Sequence, residues 1–282
     1  MKFDGNRIQT RLIETEEGFV LIQGGVSQGT STRSAYFLVD TGASHSLFAT
    51  ETPRDNKVMM IATTFNGTMP AHMGMVSLMV ANVSVNINGY LVQQDQFPKI
   101  NGYRIAGILG TDFLLANKVT LDFNKGLFHL HFTHHNAPIV TNYYSMELGL
   151  NSYKVPVLVL ENSGICFFFI VDSGANHNMI DADSLDLMQN VTQNDAGQFH
   201  ISSLSSSTLA TEYSISFKLH SAVHAQPIQD SFVCTNFGAN LLVVNHDLFR
   251  INGVMGQPFL RKHKVILDYH RKIFYSYDDF RC

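Results

Sequence analysis

Charge is what this chain has least of. Asp, Glu, Lys and Arg make up 15% of its 282 residues, against about 25% in a typical soluble domain. A net charge of −4 leaves no basic field to hold a polyphosphate backbone, so nucleic acid is not expected as a partner. Cysteine is scarce as well. Cys166, Cys234 and Cys282 are an odd number without a Cys-x-x-Cys pair. That argues against a disulfide framework and a cysteine-based zinc site, and free buried thiols are the expectation, with one bridge left open. No apolar run exceeds the seven residues of Ile165 to Val171, far short of the roughly 20 that span a bilayer. Met1 to Thr10 lacks the apolar stretch of a signal peptide. The expectation is therefore no membrane segment and a cytoplasmic chain by default, secreted or periplasmic if a leader was trimmed. Long amphipathic helical patterns are missing too. So are His-Glu-x-x-His, Gly-x-Ser-x-Gly and the P-loop, which removes those hydrolase and nucleotide-binding classes.

Apolar residues reach 45% and aromatics 11%, enough for real cores and incompatible with a disordered chain. The 13 histidines make the surface charge swing strongly across mildly acidic pH. The main signal is an internal repeat. Phe37-Leu38-Val39-Asp40-Thr41-Gly42-Ala43 recurs as Phe169-Ile170-Val171-Asp172-Ser173-Gly174-Ala175. Gly107-Ile108-Leu109-Gly110 recurs as Gly253-Val254-Met255-Gly256, and Leu121-Asp122-Phe123 as Leu267-Asp268-Tyr269. The step from Gly110 to Asp122 is 12 residues, and so is that from Gly256 to Asp268. Three blocks in one order at matched spacing mark a tandem duplication.

Two copies of this size predict two lobes, 1–138 and 139–282, each with its own core. The expected linker is the polar stretch His134-His135-Asn136-Ala137-Pro138. The predicted class is all-β. Phe19 to Ile22 and Tyr36 to Val39 read as strands around a Gly/Ser/Thr-rich loop, Gly24 to Ser34. Val76 to Ile87 alternates with one slip near Asn82, a bulge or turn. In the second copy Val155 to Leu160, Ile165 to Val171 and Tyr213 to Leu219 read as strands. Short helices are expected around Asp112 to Ala116 and Asp183 to Gln189.

Each Asp-(Thr/Ser)-Gly triplet follows three apolar strand residues. An aspartate there is costly to bury alone. If the lobes face each other, Asp40 and Asp172 become neighbours. Two like charges so close keep one proton between them, leaving one general base and one general acid around a shared water. Gly42 and Gly174 permit a tight turn and close backbone approach, while Thr41 and Ser173 can brace the loops through their hydroxyls.

These residues resemble the pepsin-like and retropepsin-like aspartic proteases: Asp-(Thr/Ser)-Gly-Ala twice, each followed by two hydrophobics and glycine at Gly110 and Gly256. Ala43 and Ala175 resemble the retropepsin branch. The resemblance covers nearly the whole chain. It implies a bilobal acid-protease fold of two pseudo-symmetric β-barrel-like lobes, with Asp40 and Asp172 as the catalytic dyad. It implies that Thr41 and Ser173 interlock the loops, and that Gly110 and Gly256 end the segments passing behind them. The implied activity is an aspartic endopeptidase, a metal-free and cofactor-free peptide hydrolase, acting as a monomer on a peptide held in the interlobe cleft. A hairpin flap is expected over the cleft. Its candidates are Thr64 to Met75, with turn-forming Asn66 and Gly67 and hinge-capable Gly74, and Ser202 to Thr211. The alternative is a catalytically inactive peptide-binding or scaffold protein on the same fold. A histidine-based metal hydrolase would instead be sensitive to chelators.

Other repeated residues have plainer readings. His45 and His177 lie five after each aspartate and read as polar residues at the loop edge. Asp122 and Asp268 read as turn formers, Asp112 as a helix cap, and Met59, Met60, Met73, Met75 and Met79 as core, with the lining of an adaptable apolar pocket as the alternative.

Overall fold

The computed structural model describes residues 3–4, 7–28, 31–50, 59–64, 67–80, 83–97, 99–132, 143–202, 207–219, 227–236 and 250–277. The expected boundary at 138/139 and the His134-His135 pair lie outside them, as does Cys282. Strands dominate: the three α-helices among the described residues are Thr111–Ala116, Ala182–Leu185 and Gln257–Lys262, none longer than six residues. The all-β expectation stands.

The described strands form three sheets. One draws only on residues 13–109 and one only on residues 149–255. Each bends back on itself. Val20–Gln28 pairs with both Ser31–Val39 and Gly67–Val80, and Pro156–Asn162 pairs with both Ile165–Val171 and Ser207–Leu219, giving barrel-like bodies. The third sheet has seven strands and joins the two parts of the chain. Its order is 3–4, 7–11, 127–131, 119–122, 266–268, 273–277, 143–147. The join is antiparallel, with Leu121 opposite Leu267 and Asp122 opposite Ile266.

The repeated sequence blocks carry repeated pairings. Ser31–Val39 runs parallel to Tyr103–Leu109, with Val39 opposite Leu109. Ile165–Val171 runs parallel to Ile251–Met255, with Val171 opposite Met255. Where these strands approach the loops, at Phe37 to Val39 and Phe169 to Val171, they read as apolar runs because both of their faces are buried. Phe37 and Val39 enter the large core, whereas Leu38, pointing the other way, enters a second cluster with Leu21, Leu47 and Ile108. Phe169 and Val171 divide from Ile170 in the same manner. The large core is continuous between the two parts, since Phe113, Leu121 and Phe128 share it with Leu260, Leu267 and Phe274.

Local expectations fare unevenly. The hairpin expected over Gly24 to Ser34 forms, but with a shorter connection than the long loop expected: the strands Val20–Gln28 and Ser31–Val39 stay paired out to Gln28 opposite Ser31. Cross-strand pairs such as Val26 with Arg33 keep the ladder going where composition alone suggested a break. Asn82, where the alternation slips, lies outside the described residues; the strands on either side of it pair antiparallel, with Val80 opposite Val83. The Gln257–Lys262 helix was not anticipated, although it repeats Thr111–Ala116. Cys166 is exposed and Cys234 half-buried, so neither is the fully buried thiol expected.

Candidate active site

Asp40 and Asp172 stand where their strands leave the sheet. The backbone N–H of Asp40 still donates to the Leu109 carbonyl (3.1 Å), and that of Asp172 to the Met255 carbonyl (2.9 Å). From there each chain turns sharply, with Ala43 and Ala175 returning N–H groups to the carbonyls of Asp40 and Asp172, both at 3.3 Å. The turn folds the loop's own donors under its carboxylate. Asp40 Oδ1 accepts from Gly42 N and Ala43 N, both at 2.9 Å, and Asp172 Oδ1 accepts from Gly174 N at 2.7 Å.

The loops are locked to each other by their hydroxyls. Thr41 Oγ1 donates to the Val171 carbonyl at 2.7 Å and accepts from Ser173 N at 2.8 Å. Ser173 Oγ donates to the Val39 carbonyl at 2.7 Å and accepts from Thr41 N at 3.1 Å. Both residues are fully buried. Every polar group of this exchange is satisfied across the join, and each bond contributes about 1 kcal/mol net.

The glycines are set by close approach. A Cβ on Gly42 would sit 2.4 Å from the Asp172 carboxyl carbon, and one on Gly174 would sit 2.6 Å from that of Asp40. Each glycine thus forms the floor under the other loop's carboxyl. Gly110 and Gly256 pass behind the loops. A Cβ on Gly110 would meet the His45 carbonyl group at 2.7 Å, and one on Gly256 would meet the His177 carbonyl oxygen at 2.2 Å. The next residues seal the crossing, Thr111 N donating to the Ala43 carbonyl and Gln257 N to the Ala175 carbonyl, both at 2.8 Å.

The result is a carboxyl pair. Asp40 and Asp172 hydrogen-bond each other through their side chains. Both are half-buried, surrounded by protein yet still reached by solvent. Burial raises the pKa of each, most strongly that of Asp40, where the Asp172 charge adds to it. The loop N–H groups pull the other way. A pair raised in this way keeps a proton to higher pH than an ordinary aspartate does. Chemically it offers a base and an acid side by side, at a spot water can reach.

Several supports were not singled out from the sequence. Ser46 and Asn178, each six residues after its aspartate, fasten the crossing segments. Ser46 Oγ accepts from Gly110 N at 3.0 Å, and Asn178 Oδ1 accepts from Gly256 N at 3.0 Å and from Phe259 N at 3.3 Å. Asp112 completes the first arrangement, accepting from Ser46 Oγ at 2.6 Å, Ser46 N at 3.0 Å and Phe113 N at 2.7 Å. It sits inside the helix and ties down the loop, so it is not the helix cap expected. Gln257 donates its side-chain amide to the Ser173 carbonyl at 2.7 Å. The matching offset from each aspartate could have exposed Ser46 and Asn178; their different side chains hid them.

Of the remaining expectations, Asp122 and Asp268 are turn formers, accepting from Lys125 N (2.9 Å) and Arg271 N (3.0 Å). His45 is exposed, 2.8 Å from Ser44 Oγ through Nδ1 and edge-on to Tyr90. His177 is half-buried, and burial lowers its pKa. Both flap candidates belong to hairpins. Met59–Thr64 pairs with Gly67–Val80, closing at Thr64 opposite Gly67, and Val191–Ser202 pairs with Ser207–Leu219. Asn66 and residues 203–206 lie outside the described residues. Gly67 begins the returning strand. Gly74 is no hinge: it is paired with Gly89 in mid-strand, where a Cβ would come within 2.5 Å of Leu91 Cδ1. Met73 and Met75 are 43% and 70% exposed, so they are not core; the side chains of Met59 and Met60 lie outside the described residues. Among the described residues no group of three or more His, Cys, Asp or Glu is arranged to hold a metal ion.

No family model matches the chain, and no curated protein matches it. Among solved structures it is similar to conglutin gamma, described as a unique basic 7S globulin from lupine seeds. That likeness has a TM-score of 0.61 at 9% identity and covers 98% of this chain and 95% of the other. At such identity it speaks to the fold, and it does so over the full length.

Proposed function

We propose that the chain is an aspartic endopeptidase on a bilobal, pseudo-symmetric acid-protease fold, with Asp40 and Asp172 as its dyad, one from each lobe. The observation that carries this reading is the reciprocal lock of Thr41 and Ser173, which sets two carboxyls against each other where water reaches them. The repeated pairings around both loops support the pseudo-symmetry.

In this reading the ionised carboxylate takes a proton from a water held between the two. The resulting hydroxide adds to the scissile carbonyl carbon while the protonated carboxyl donates to the carbonyl oxygen. The tetrahedral diol then collapses: its C–N bond breaks, the leaving nitrogen takes a proton, and the carboxyl pair again holds one proton. The substrate is an extended polypeptide bound through strand edges, and its side chains reach the face of the 59–80 hairpin. Met73, opposite Tyr90, and Met75 present apolar surface there, favouring apolar side chains in the substrate.

The test is a mixed peptide library incubated with the full chain from pH 3 to 7, with and without a statine-type transition-state mimic. Cleavage blocked by the mimic is the expected result. Binding of peptides without cleavage at any pH would overturn the enzyme in favour of a peptide-binding scaffold, and chelator-sensitive cleavage would point to a metal hydrolase.

A further inference from the structure

The two copies of the Leu-Asp block differ by one oxygen at their last residue, Phe123 in the first and Tyr269 in the second. Their places correspond. Phe123 N donates to the Val265 carbonyl at 3.0 Å and Tyr269 N to the Val119 carbonyl at 2.9 Å, and both rings pack on the shared core. A phenyl ring suffices in the first copy. In the second, the added hydroxyl is sealed from solvent in a residue 2% exposed and lacks a hydrogen-bond partner of normal geometry. A buried hydroxyl without a partner is a cost that phenylalanine would avoid, so its presence needs a reason.

Its surroundings supply one. The hydroxyl faces the Thr41 side chain and lies within the field of both Asp40 and Asp172; burial, and then those two charges, keep the phenol neutral and hence a donor. Thr41 Oγ1 spends its proton on the Val171 carbonyl and one lone pair on Ser173 N. Its second lone pair is unused by these bonds. We propose that Tyr269 donates its hydroxyl proton to that lone pair, a brace beneath one loop only, and is thereby a positioning residue for the Asp40/Asp172 pair. As a catalytic support the inference rests on the endopeptidase reading; as a brace it does not.

A neutral donor hydroxyl held in the field of the carboxyl pair favours the negative charge they share. Removing it makes both ionisations of the pair harder, so both apparent steps move to higher pH. The variant is Tyr269→Phe, a residue the scaffold already accepts at position 123. Titration of ¹³C-labelled aspartate carboxyls by NMR in the full chain should show both steps of the pair rising by about half a pH unit. Both limbs of the cleavage profile should move with them while KM stays put. Unchanged titration of Asp40 and Asp172 in the folded variant would overturn the brace. A second measurement needs no variant: the Tyr269 hydroxyl proton should exchange slowly and show magnetisation transfer to Thr41, and its absence would also overturn the brace. If the carboxyls respond but the parent cleaves no peptide, the brace stands and the endopeptidase reading falls.

Discussion

At the scale of single residues, the carboxyl pair sets stability against function. The folded protein holds a proton on Asp40 and Asp172 that the unfolded chain releases above the ordinary aspartate pKa of about 3.9. Because the folded pKa values are raised, the pair's contribution to stability is full below that pH and is lost as pH rises through the folded pKa values. Asp40→Asn removes the conflict and keeps an oxygen to accept from Gly42 and Ala43. Its Tm should exceed the parent's at pH 7, with the gap closing towards pH 4, as scanning calorimetry would show. An equal Tm at both pH values would contradict the strained pair. Gly42→Ala acts by geometry instead. Its methyl would fall 2.4 Å from the Asp172 carboxyl carbon, and a displacement of about 1 Å in such a site costs on the order of 10²-fold in rate. Cleavage should drop by that factor or more while circular dichroism stays native. Undiminished cleavage by this variant would mean the loops are not packed as described.

At the scale of elements, the two halves solve one problem with different chemistry. Behind the first loop Ser46 and Asp112 work together; behind the second Asn178 works alone, and it also donates to the Ser231 carbonyl at 3.1 Å. Removing Asn178 strands Gly256 N with no backup, whereas removing Asp112 leaves Ser46 still bonded to Gly110. Asn178→Ala should therefore destabilise by roughly 2–3 kcal/mol and Asp112→Ala by about 1 kcal/mol in urea unfolding. The reverse order would argue against the equivalence. The sequence shows its hand well where a block is apolar on both faces, as in Phe37 to Val39 and Phe169 to Val171, because only buried strands tolerate that pattern. It is a poor guide at Gly24 to Ser34, where small polar residues look like a loop and pairing with the adjacent strand decides otherwise. Met73 and Met75 mislead for a related reason. Hydrophobicity tells of burial only when another surface covers the strand face, and none does in the described chain.

At the scale of the whole molecule, the duplicated blocks announce two equivalent loops, and the triplets name their residues. What holds the halves together is less legible. The joining sheet pairs residues 119–122 with 266–268, and the facing residues Leu121 and Leu267 lie 146 positions apart in the chain. The Thr41–Ser173 lock spans 132 residues. Arg261, reaching back to Glu14 and the Gly18 carbonyl, adds a further tie. No local pattern encodes such contacts. The joining sheet also carries an acid-sensitive spot. His129 is 8% exposed, and burial, then Arg7, His131 and Lys125, lower its pKa to about 4. Its neighbour His131, lowered by burial, stacks towards His270 and faces Asp268 and Arg271. A depressed histidine favours the unfolded chain in acid, since the unfolded form binds the proton first. Stability should thus fall from pH 6.5 to 4 by on the order of 3 kcal/mol on account of His129. His129→Leu should flatten that part of the denaturation profile, and an unaltered slope would place the acid sensitivity elsewhere.

In the proposed function two carboxyls act as one unit. The most direct measurement compares the rate at which a single cleavable peptide is hydrolysed by the parent, by Asp40→Asn and by Asp172→Asn, each confirmed folded. Each substitution alone should lower the rate about 10³-fold or more, because neither carboxyl can serve as both acid and base. Retention of the parental rate within tenfold by either variant would contradict a shared dyad.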